Sequence, residues 1–241
     1  MGAPSVDGIV PRRSKPRAYL LLARVSNLPT VWTNVLTAYA ISGAALDSLP
    51  IAVVSLSLFY TGGMFLNDAF DVGFDSRTRP DRPIPNGDVS RGEAFGIGFG
   101  LLFAGQGLLI FQPFPGHALR WGIALFIAIV FYNFSHKGKG YGPIVMGLCR
   151  ALVYFVAAAG AAADVTSGVA DAALVMWIYV ILLTWIAKAA NLGYAVPWLL
   201  AGICLVDALV ILLMTGSSST ALIAAAGFPL TLALQKVVPG T

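Results

Sequence analysis

The sequence predicts an all-α integral membrane protein, and three observations support this fold class. Of the 241 residues, 58% are hydrophobic and only 11% are charged, whereas soluble proteins carry about 25% charged residues. Apolar stretches recur at lengths close to the roughly 20 residues that a helix needs to cross a bilayer. Turn-forming segments separate these stretches. Soluble, fibrous and disordered proteins are therefore excluded, and two cysteines are too few for a disulfide framework or a zinc motif.

About eight transmembrane helices are predicted. In chain order they cover residues 19–45, 51–72, 92–110, 119–134, 143–163, 172–189, 196–214 and 220–235. The segments 47–50, 112–116, 137–140 and 216–219 are rich in turn-forming residues. Residues 1–17 are basic and contain prolines, so we expect disorder there and a single transmembrane domain over residues 18–241. Gly96 and Gly100, four residues apart, are interpreted as helix-packing positions.

The distribution of basic residues predicts the orientation of the chain. With eight spans, both termini share one side, and every Lys and Arg except Arg120 lies on that side or at span ends that face it. Positively charged residues accumulate on the cytoplasmic side of membranes. Both termini and the loop at residues 71–91 are therefore predicted to be cytoplasmic. One miscounted helix would scatter these charges over both sides, which supports the number eight.

Three carboxylates mark the end of the second predicted span. Residues 67–75 read Asn-Asp-Ala-Phe-Asp-Val-Gly-Phe-Asp, so Asp68, Asp71 and Asp75 share one helix face. Carboxylates this close repel one another, and ionisable groups at membrane depth usually indicate a functional site. We therefore expect a cation to compensate them. Oxygen ligands combined with substrate phosphates favour Mg²⁺.

The segment after these carboxylates is predicted to bind an anion. Residues 76–87 read Ser-Arg-Thr-Arg-Pro-Asp-Arg-Pro-Ile-Pro-Asn-Gly. The prolines favour an extended loop, and the arginines can bridge phosphate groups. Together with the acidic face, this segment predicts a Mg²⁺-bridged diphosphate site at the cytoplasmic surface of the membrane. The alternative is a loop whose acids and bases only neutralise each other.

Further polar side chains lie inside the predicted spans. Arg24, Asn27 and Asn34 share one face of the first span, where Arg24 could hold phosphate and Asn34 could orient substrate. The alternative for the two asparagines is hydrogen bonding between helices. Arg150 lies about two turns into the fifth span and requires an anionic partner, either substrate diphosphate, the acidic face or a structural ion pair. Asp207, in the seventh span, is interpreted as a neutral, hydrogen-bonded carboxyl group.

Residues 67–86 closely resemble the first aspartate-rich motif and following loop of the UbiA superfamily of membrane prenyltransferases. Residues 23–34 look like the first helix of that family, and Tyr132 and Lys137 are similar in placement to its Tyr and Lys between the fourth and fifth helices. The resemblance covers about residues 18–160 and implies a helical bundle around a central cavity. It also implies Mg²⁺-assisted transfer of a prenyl group from a prenyl diphosphate to a lipophilic acceptor. We expect a bacterial or archaeal cell membrane and no nucleic-acid partner.

The residues and the resemblance together assign roles to individual side chains. The expected metal ligands are Asp68, Asp71 and Asp75. The expected catalytic residues are Asp68, Asp71 and Lys137. The expected substrate-binding residues are Arg24, Asn34, Asn67, Arg79, Tyr132 and Arg150.

One feature of the family is missing. The family usually carries a second aspartate-rich motif near the junction of the sixth and seventh helices, but residues 184–193 contain no acid. Lys137, Arg150 and Lys188 would then stabilise the departing diphosphate. The alternative function is a catalytically reduced prenyl-lipid binding or transport protein. An ion transporter is disfavoured, because only Asp207 lies near the midplane. A divergent subgroup with shorter chains, including the UbiA-like EboC proteins, is another assignment that the sequence leaves open.

Overall fold

The computed structural model describes residues 11–135, 140–189 and 193–240, apart from the side chains of residues 188, 189 and 193. These residues form nine α-helices and no strand, which confirms the predicted all-α fold. The helices are α1 (Lys15–Ala23), α2 (Leu28–Ser42), α3 (Leu49–Thr78), α4 (Arg91–Leu108), α5 (Pro115–Ser135), α6 (Gly142–Ala162), α7 (Ser167–Ala189), α8 (Val196–Thr215) and α9 (Ser218–Gln235).

Seven of these helices, α3 to α9, are long and apolar enough to cross a membrane. They correspond in order to the last seven predicted spans, with boundaries shifted by a few residues. Helix α3 continues past its predicted end at residue 72 to Thr78. The three carboxylates Asp68, Asp71 and Asp75 therefore lie on one continuous helix.

The prediction of one continuous first span over residues 19–45 is wrong. Helix α1 ends at Ala23 because Arg24 adopts a left-handed backbone conformation, with φ 45° and ψ 48°, which does not continue a right-handed helix. A 3-10 turn follows, and α2 begins with Leu28 and Pro29, where the missing N–H of proline is tolerated. Its 15 residues span only about 22 Å, less than the roughly 30 Å of a bilayer core.

Helix α2 lies at the centre of the bundle. It packs against α3, α6, α7, α8 and α9, and most of its side chains are buried. Around it, helices that follow each other in the chain pack in pairs, namely α3 with α4, α5 with α6, α6 with α7 and α8 with α9. The main hydrophobic core is built from helices α2 to α8. The break before α2 directs Arg24 and Asn27 towards this interior.

Helices α3 and α4 approach closely, but through other glycines than predicted. A Cβ atom at Gly62 would lie 2.7 Å from the carbonyl oxygen of Gly98, and a Cβ at Gly98 would lie 2.8 Å from the side chain of Leu66. The interpretation of Gly96 and Gly100 as packing positions is wrong, because an added Cβ there meets nothing within 4 Å. The register of the helix pair therefore depends on Gly62 and Gly98.

The loop after α3 is tied to the N-terminal segment. Arg13 donates from its backbone N to Asp88 Oδ1 at 3.0 Å and from Nη1 to Asp88 Oδ2 at 3.1 Å. Burial opposes ionisation of Asp88, but the hydrogen bonds from Arg13 and Asn86 outweigh it and lower its pKa. Lys15 Nζ binds Glu93 Oε2 at 2.6 Å. The end of the segment 1–17, for which disorder was predicted, thus has defined contacts, and residues 1–10 lie outside the described part.

Candidate active site

A cavity of about 220 Å³ lies between α2, α3 and α5 to α8. Most of its lining is apolar and includes Leu56, Phe59, Leu125, Ile129, Val153 and Leu183. Its polar lining is concentrated towards the C-terminal parts of α3 and α5 and the N-terminal parts of α2 and α6, and includes Arg24, Asn27, Asn67, Tyr132, Asn133 and Arg150. An apolar pocket with a few convergent polar groups suits a ligand that joins a hydrocarbon tail to a charged head.

The acidic face of α3 adjoins this polar end. Asp68 Oδ1 accepts hydrogen bonds from Arg24 Nη2 at 2.8 Å and from Arg82 Nη1 at 3.2 Å. The same Arg82 nitrogen lies 3.0 Å from Asp75 Oδ2. The side chains of Asp68, Asp75 and Arg82 are only 7%, 3% and 14% exposed, so these ion pairs are largely shielded from water. Asp71 is partly exposed on the same helix.

The carboxylates of α3 supply oxygen ligands of the kind that a hard divalent cation prefers. Asp68 and Asp75 each direct one oxygen to a single nitrogen of Arg82, so both oxygens already face one point of positive charge. Carboxylate oxygens, water and substrate phosphates are the ligands that Mg²⁺ prefers. In the described ranges, no group of three or more His, Cys, Asp or Glu side chains is arranged as a metal site. The full ligand set Asp68, Asp71 and Asp75 therefore stays a prediction.

Arg150 is a cavity cation whose hydrogen-bond partners are neutral. Its Nη1 donates to Asn34 Oδ1 at 2.9 Å, and its Nη2 donates to Thr30 Oγ1 at 2.8 Å. The guanidinium lies over the ring of Tyr60, 5.6 Å from its centroid. None of the ion pairs between described residues involves Arg150. Since a guanidinium has five N–H donors, several stay available for an anion in the cavity.

The structure brings most of the predicted substrate-binding residues to one end of the bundle. Those that line the cavity are Arg24, Asn67, Tyr132 and Arg150. Asn34 is buried behind Arg150 and contacts it directly. Arg79 is exposed at the end of α3. Lys137 and the side chain of Lys188 lie outside the described residues, so their predicted roles stay predictions.

Two participants of the site were not identified from the sequence. Asn133 accepts a hydrogen bond from Asn67 Nδ2 at 3.2 Å and donates to the carbonyl oxygen of Gly63 at 3.3 Å. The sequence did offer one indication of its role, because Asn133 is a polar residue next to Tyr132 within an apolar span. Arg82 was considered only as one of several loop arginines, because nothing in a proline-rich segment shows that the chain turns back onto α3.

A comparison with known protein families adds to this geometry. The model of the UbiA prenyltransferase family matches residues 26–196, which is more than half of the chain. The chain belongs to the UbiA prenyltransferase family. The resemblance seen in residues 67–86 is thereby confirmed. Family membership and the seven long apolar helices together make it a multi-pass membrane protein.

Its curated UbiA relatives include archaeal digeranylgeranylglyceryl phosphate synthases. The synthase of Metallosphaera sedula is 34% identical over 143 residues, which are 57% of this chain and 49% of the relative. That of Methanopyrus kandleri is 34% identical over 125 residues, or 52% and 45%. The chain thus spans about half the length of the curated relatives it matches.

The fold is also shared with solved UbiA structures. The structure of a UbiA homologue from Archaeoglobus fulgidus bound to DMAPP and Mg²⁺ matches with a TM-score of 0.62. The match covers 91% of this chain and 86% of that one at 13% sequence identity. At this identity, the likeness establishes a common helical bundle.

Proposed function

We propose that this UbiA family member transfers a prenyl group from a prenyl diphosphate to a lipophilic acceptor inside the membrane. The observation that carries the proposal is an apolar cavity whose polar end combines Arg150 with the acidic end of α3. A prenyl diphosphate has the same division into a hydrocarbon tail and a polyanionic head. The cavity therefore offers complementary surroundings to both parts of the donor.

The diphosphate head is expected to bind the basic and amide groups at the polar end. Arg150 presents its remaining N–H donors there, and a guanidinium binds phosphate oxygens in a bidentate manner. Arg24 Nη2 lies 3.5 Å from Asn67 Oδ1, so a second cation stands beside an amide. Arg79 and Lys137 are proposed as further diphosphate ligands. Such fixed cations stabilise the negative charge that develops on the leaving group.

Mg²⁺ is the proposed cofactor, with Asp68, Asp71 and Asp75 as its ligands. The convergence of Asp68 and Asp75 on Arg82 supports this assignment, as do neighbouring UbiA structures bound to DMAPP or GPP with Mg²⁺. When bound, the ion would neutralise charge on the departing diphosphate. The apolar walls would exclude water, so that the acceptor and not water reaches the reacting carbon.

The proposed acceptor is a glycerophosphate-type lipid. The names of the curated relatives support this class, and the arginines at the polar end suit an acceptor that itself carries phosphate. A glycerophosphate acceptor also places its hydrocarbon part in the bilayer. Quinone precursors and other lipophilic acceptors are the alternatives that an acceptor panel would separate.

The test is diphosphate release by the purified chain in lipid nanodiscs. Prenyl diphosphates of increasing length are supplied with Mg²⁺ and with either a glycerophosphate lipid or a quinone precursor. We expect release with the glycerophosphate lipid and its loss in Asp71→Asn. The matched control is Arg77→Gln, because Arg77 is exposed and its side chain bonds, among the described residues, only the Gly73 carbonyl of its own helix. A folded chain that releases no diphosphate with any acceptor would contradict the proposal.

A second candidate function is binding or transport of a prenyl lipid without turnover. It is favoured by residues 184–193, which lack the acids that family members usually supply for a second Mg²⁺. This function predicts tight binding of prenyl diphosphate to the chain and no product. The nanodisc assay separates the two functions, because a binding protein retains intact donor.

We also propose that α1 and α2 together cross the membrane once, since Arg24 contacts Asp68 and Tyr39 near the end of α2 contacts Gln112 in the loop before α5. With this eighth crossing, both termini and the loop after α3 face the cytoplasm, as the bias of basic residues predicts. Single cysteines at Ser14 and Ser217, placed on opposite sides by this topology, allow a test with the two native cysteines replaced. An impermeant thiol reagent added to intact cells should label Ser217→Cys and not Ser14→Cys. The reverse pattern would contradict the orientation.

A further inference from the structure

A buried carboxylate lies behind the polar end of the cavity. Asp207, on α8, is fully buried and accepts hydrogen bonds from four side chains. Three of them come from α2, with distances of 2.6 Å from Thr33 Oγ1, 2.8 Å from Asn34 Nδ2 and 3.0 Å from Thr37 Oγ1. The fourth donor is the hydroxyl group of Tyr154 on α6. The predicted hydrogen bonding of this carboxyl group is therefore present. The predicted neutral state is replaced by an ionised one, because all four partners donate to the carboxyl oxygens.

Asn34 connects this carboxylate to Arg150. Its Nδ2 faces Asp207, and its Oδ1 accepts from Arg150 Nη1 at 2.9 Å. A guanidinium only donates hydrogen bonds and an ionised carboxylate only accepts them. An amide between them can satisfy both in one orientation only. The Asn34 nitrogen also donates to the Tyr154 hydroxyl group at 3.1 Å. Asp207 and its partner Tyr154 thus hold the Asn34 oxygen against Arg150.

The guanidinium is fixed on a second side by the same helix. Arg150 Nη2 donates to Thr30 Oγ1, whose own hydrogen goes to the carbonyl oxygen of Asn27 at 2.7 Å. Two neutral groups of α2 therefore orient the guanidinium group of Arg150. Among the described residues, no carboxylate accepts a hydrogen bond from its remaining N–H donors. A direct ion pair would have competed with an anion for those donors.

The charge balance of this cluster follows from its depth in the membrane. An isolated guanidinium at membrane depth is costly. Asp207 is the carboxylate that described hydrogen bonds link to Arg150, through a single amide. It compensates the positive charge before an anion arrives, yet it does not occupy the cavity-facing N–H groups.

We propose that Asp207 is a positioning residue that holds Arg150 ready for an anionic headgroup, acting through Asn34. The identification of that headgroup as a diphosphate rests on the proposed function. The positioning itself rests on the hydrogen bonds from α8 through α2 to α6. Asp207 does not touch the ligand.

The test compares an anionic with a neutral ligand on the purified full chain. Asp207→Asn keeps nearly the same volume but removes the charge and replaces one acceptor oxygen by an NH2 donor, so this position holds the Asn34 amide less firmly. We expect binding of geranyl diphosphate to weaken about tenfold, the value of one hydrogen bond to a charged group. Binding of geraniol, which has the same tail without the charge, should not change. A general loss of packing would weaken both ligands alike.

The matched control is Thr37→Val, which removes another donor to Asp207 but leaves Asn34 and Arg150 linked. It should bind geranyl diphosphate like the natural chain. Arg150→Gln should weaken diphosphate binding at least as much as Asp207→Asn. If Asp207→Asn binds diphosphate normally while Arg150→Gln does not, the inference is overturned and the proposed function stands. If Arg150→Gln also binds normally, the diphosphate site of the proposed function is wrong.

A charge exchange covers the case in which Asp207→Asn does not fold. Asp207→Asn combined with Asn34→Asp keeps a carboxylate and an amide in contact, so the buried charge is retained. It places the carboxylate directly against Arg150, where it competes with the anion. We expect a folded protein with weaker binding of geranyl diphosphate and unchanged binding of geraniol. Unchanged diphosphate binding by this variant would overturn the inference.

Discussion

Arg82→Gln tests whether the acidic end of α3 needs a positive charge. In the structure, one nitrogen of Arg82 lies 3.2 Å from Asp68 and 3.0 Å from Asp75. Glutamine keeps much of the side-chain volume but removes the charge. Asp68 retains its ion pair with Arg24 at 2.8 Å, whereas Asp75 loses the partner that the structure shows for it. The substitution therefore leaves one buried carboxylate without a cation.

The expected loss of stability follows from the burial of these groups. Removing one partner of a buried ion pair costs about 3–5 kcal/mol. The lower end applies here, about 3 kcal/mol, because Asp68 keeps Arg24 and Arg82 is 14% exposed. A cation that replaces the guanidinium and is present at 100 times its Kd returns about 2.7 kcal/mol. Saturating Mg²⁺ should thus restore nearly all of the loss.

The assay is thermal unfolding of purified chain in detergent, with and without Mg²⁺. Arg82→Gln should unfold at a clearly lower temperature without Mg²⁺, and Mg²⁺ should stabilise this variant more than the natural chain. Arg77→Gln, an exposed change on the same helix, should shift stability by less than about 0.5 kcal/mol. Equal unfolding of the two variants would refute the role of the ion pairs. No stabilisation of Arg82→Gln by saturating Mg²⁺ would refute cation binding at these carboxylates.

Two further predictions concern the packing of α3 against α4 and the contacts of the N-terminal segment. Gly62→Ala should cost about 1–3 kcal/mol of stability, since its Cβ would meet the carbonyl oxygen of Gly98 at 2.7 Å. Gly96→Ala, which meets nothing within 4 Å, should unfold like the natural chain, and equal losses in both variants would contradict the packing. The pKa of Asp88 is lowered in the folded chain, below the value of about 3.9 for an unfolded carboxyl group. Its contacts with Arg13 should therefore persist above that pH and be lost as the pH falls through the folded pKa. A spin label at Ser14 of the natural chain should become mobile only below about pH 4. In Asp88→Asn the label should be mobile already at neutral pH, and a label whose mobility changes neither with pH nor with this substitution would contradict the prediction.

Hydropathy was sufficient to locate α3 to α9, because each is a long apolar stretch bounded by turn-forming residues. The break at Arg24 could not be predicted in this way. A left-handed conformation at a residue other than glycine depends on tertiary contacts, and here the side chain is held by Asp68 at 2.8 Å. Pro29 gave a local signal, but proline is compatible with the first turn of a helix as well as with a kink.

The candidate site was predictable where it depends on spacing within one helix. The shared face of Asp68, Asp71 and Asp75 follows from their separations along α3. Contacts between residues on different helices depend on how the helices pack, and this packing cannot be read from a single sequence. The link from Asp207 through Asn34 to Arg150 joins α8, α2 and α6, and no local pattern around these three residues indicates it.

The central claim is prenyl transfer at the polar end of the cavity, and the most direct measurement is mass spectrometry of the lipid product. Purified chain in nanodiscs is given Mg²⁺, a prenyl diphosphate with an isotope-labelled prenyl group and a glycerophosphate lipid. We predict one labelled prenyl group on the acceptor, little product from Arg150→Gln, and none after removal of Mg²⁺. A folded natural chain that binds the donor but leaves the acceptor unlabelled would contradict it.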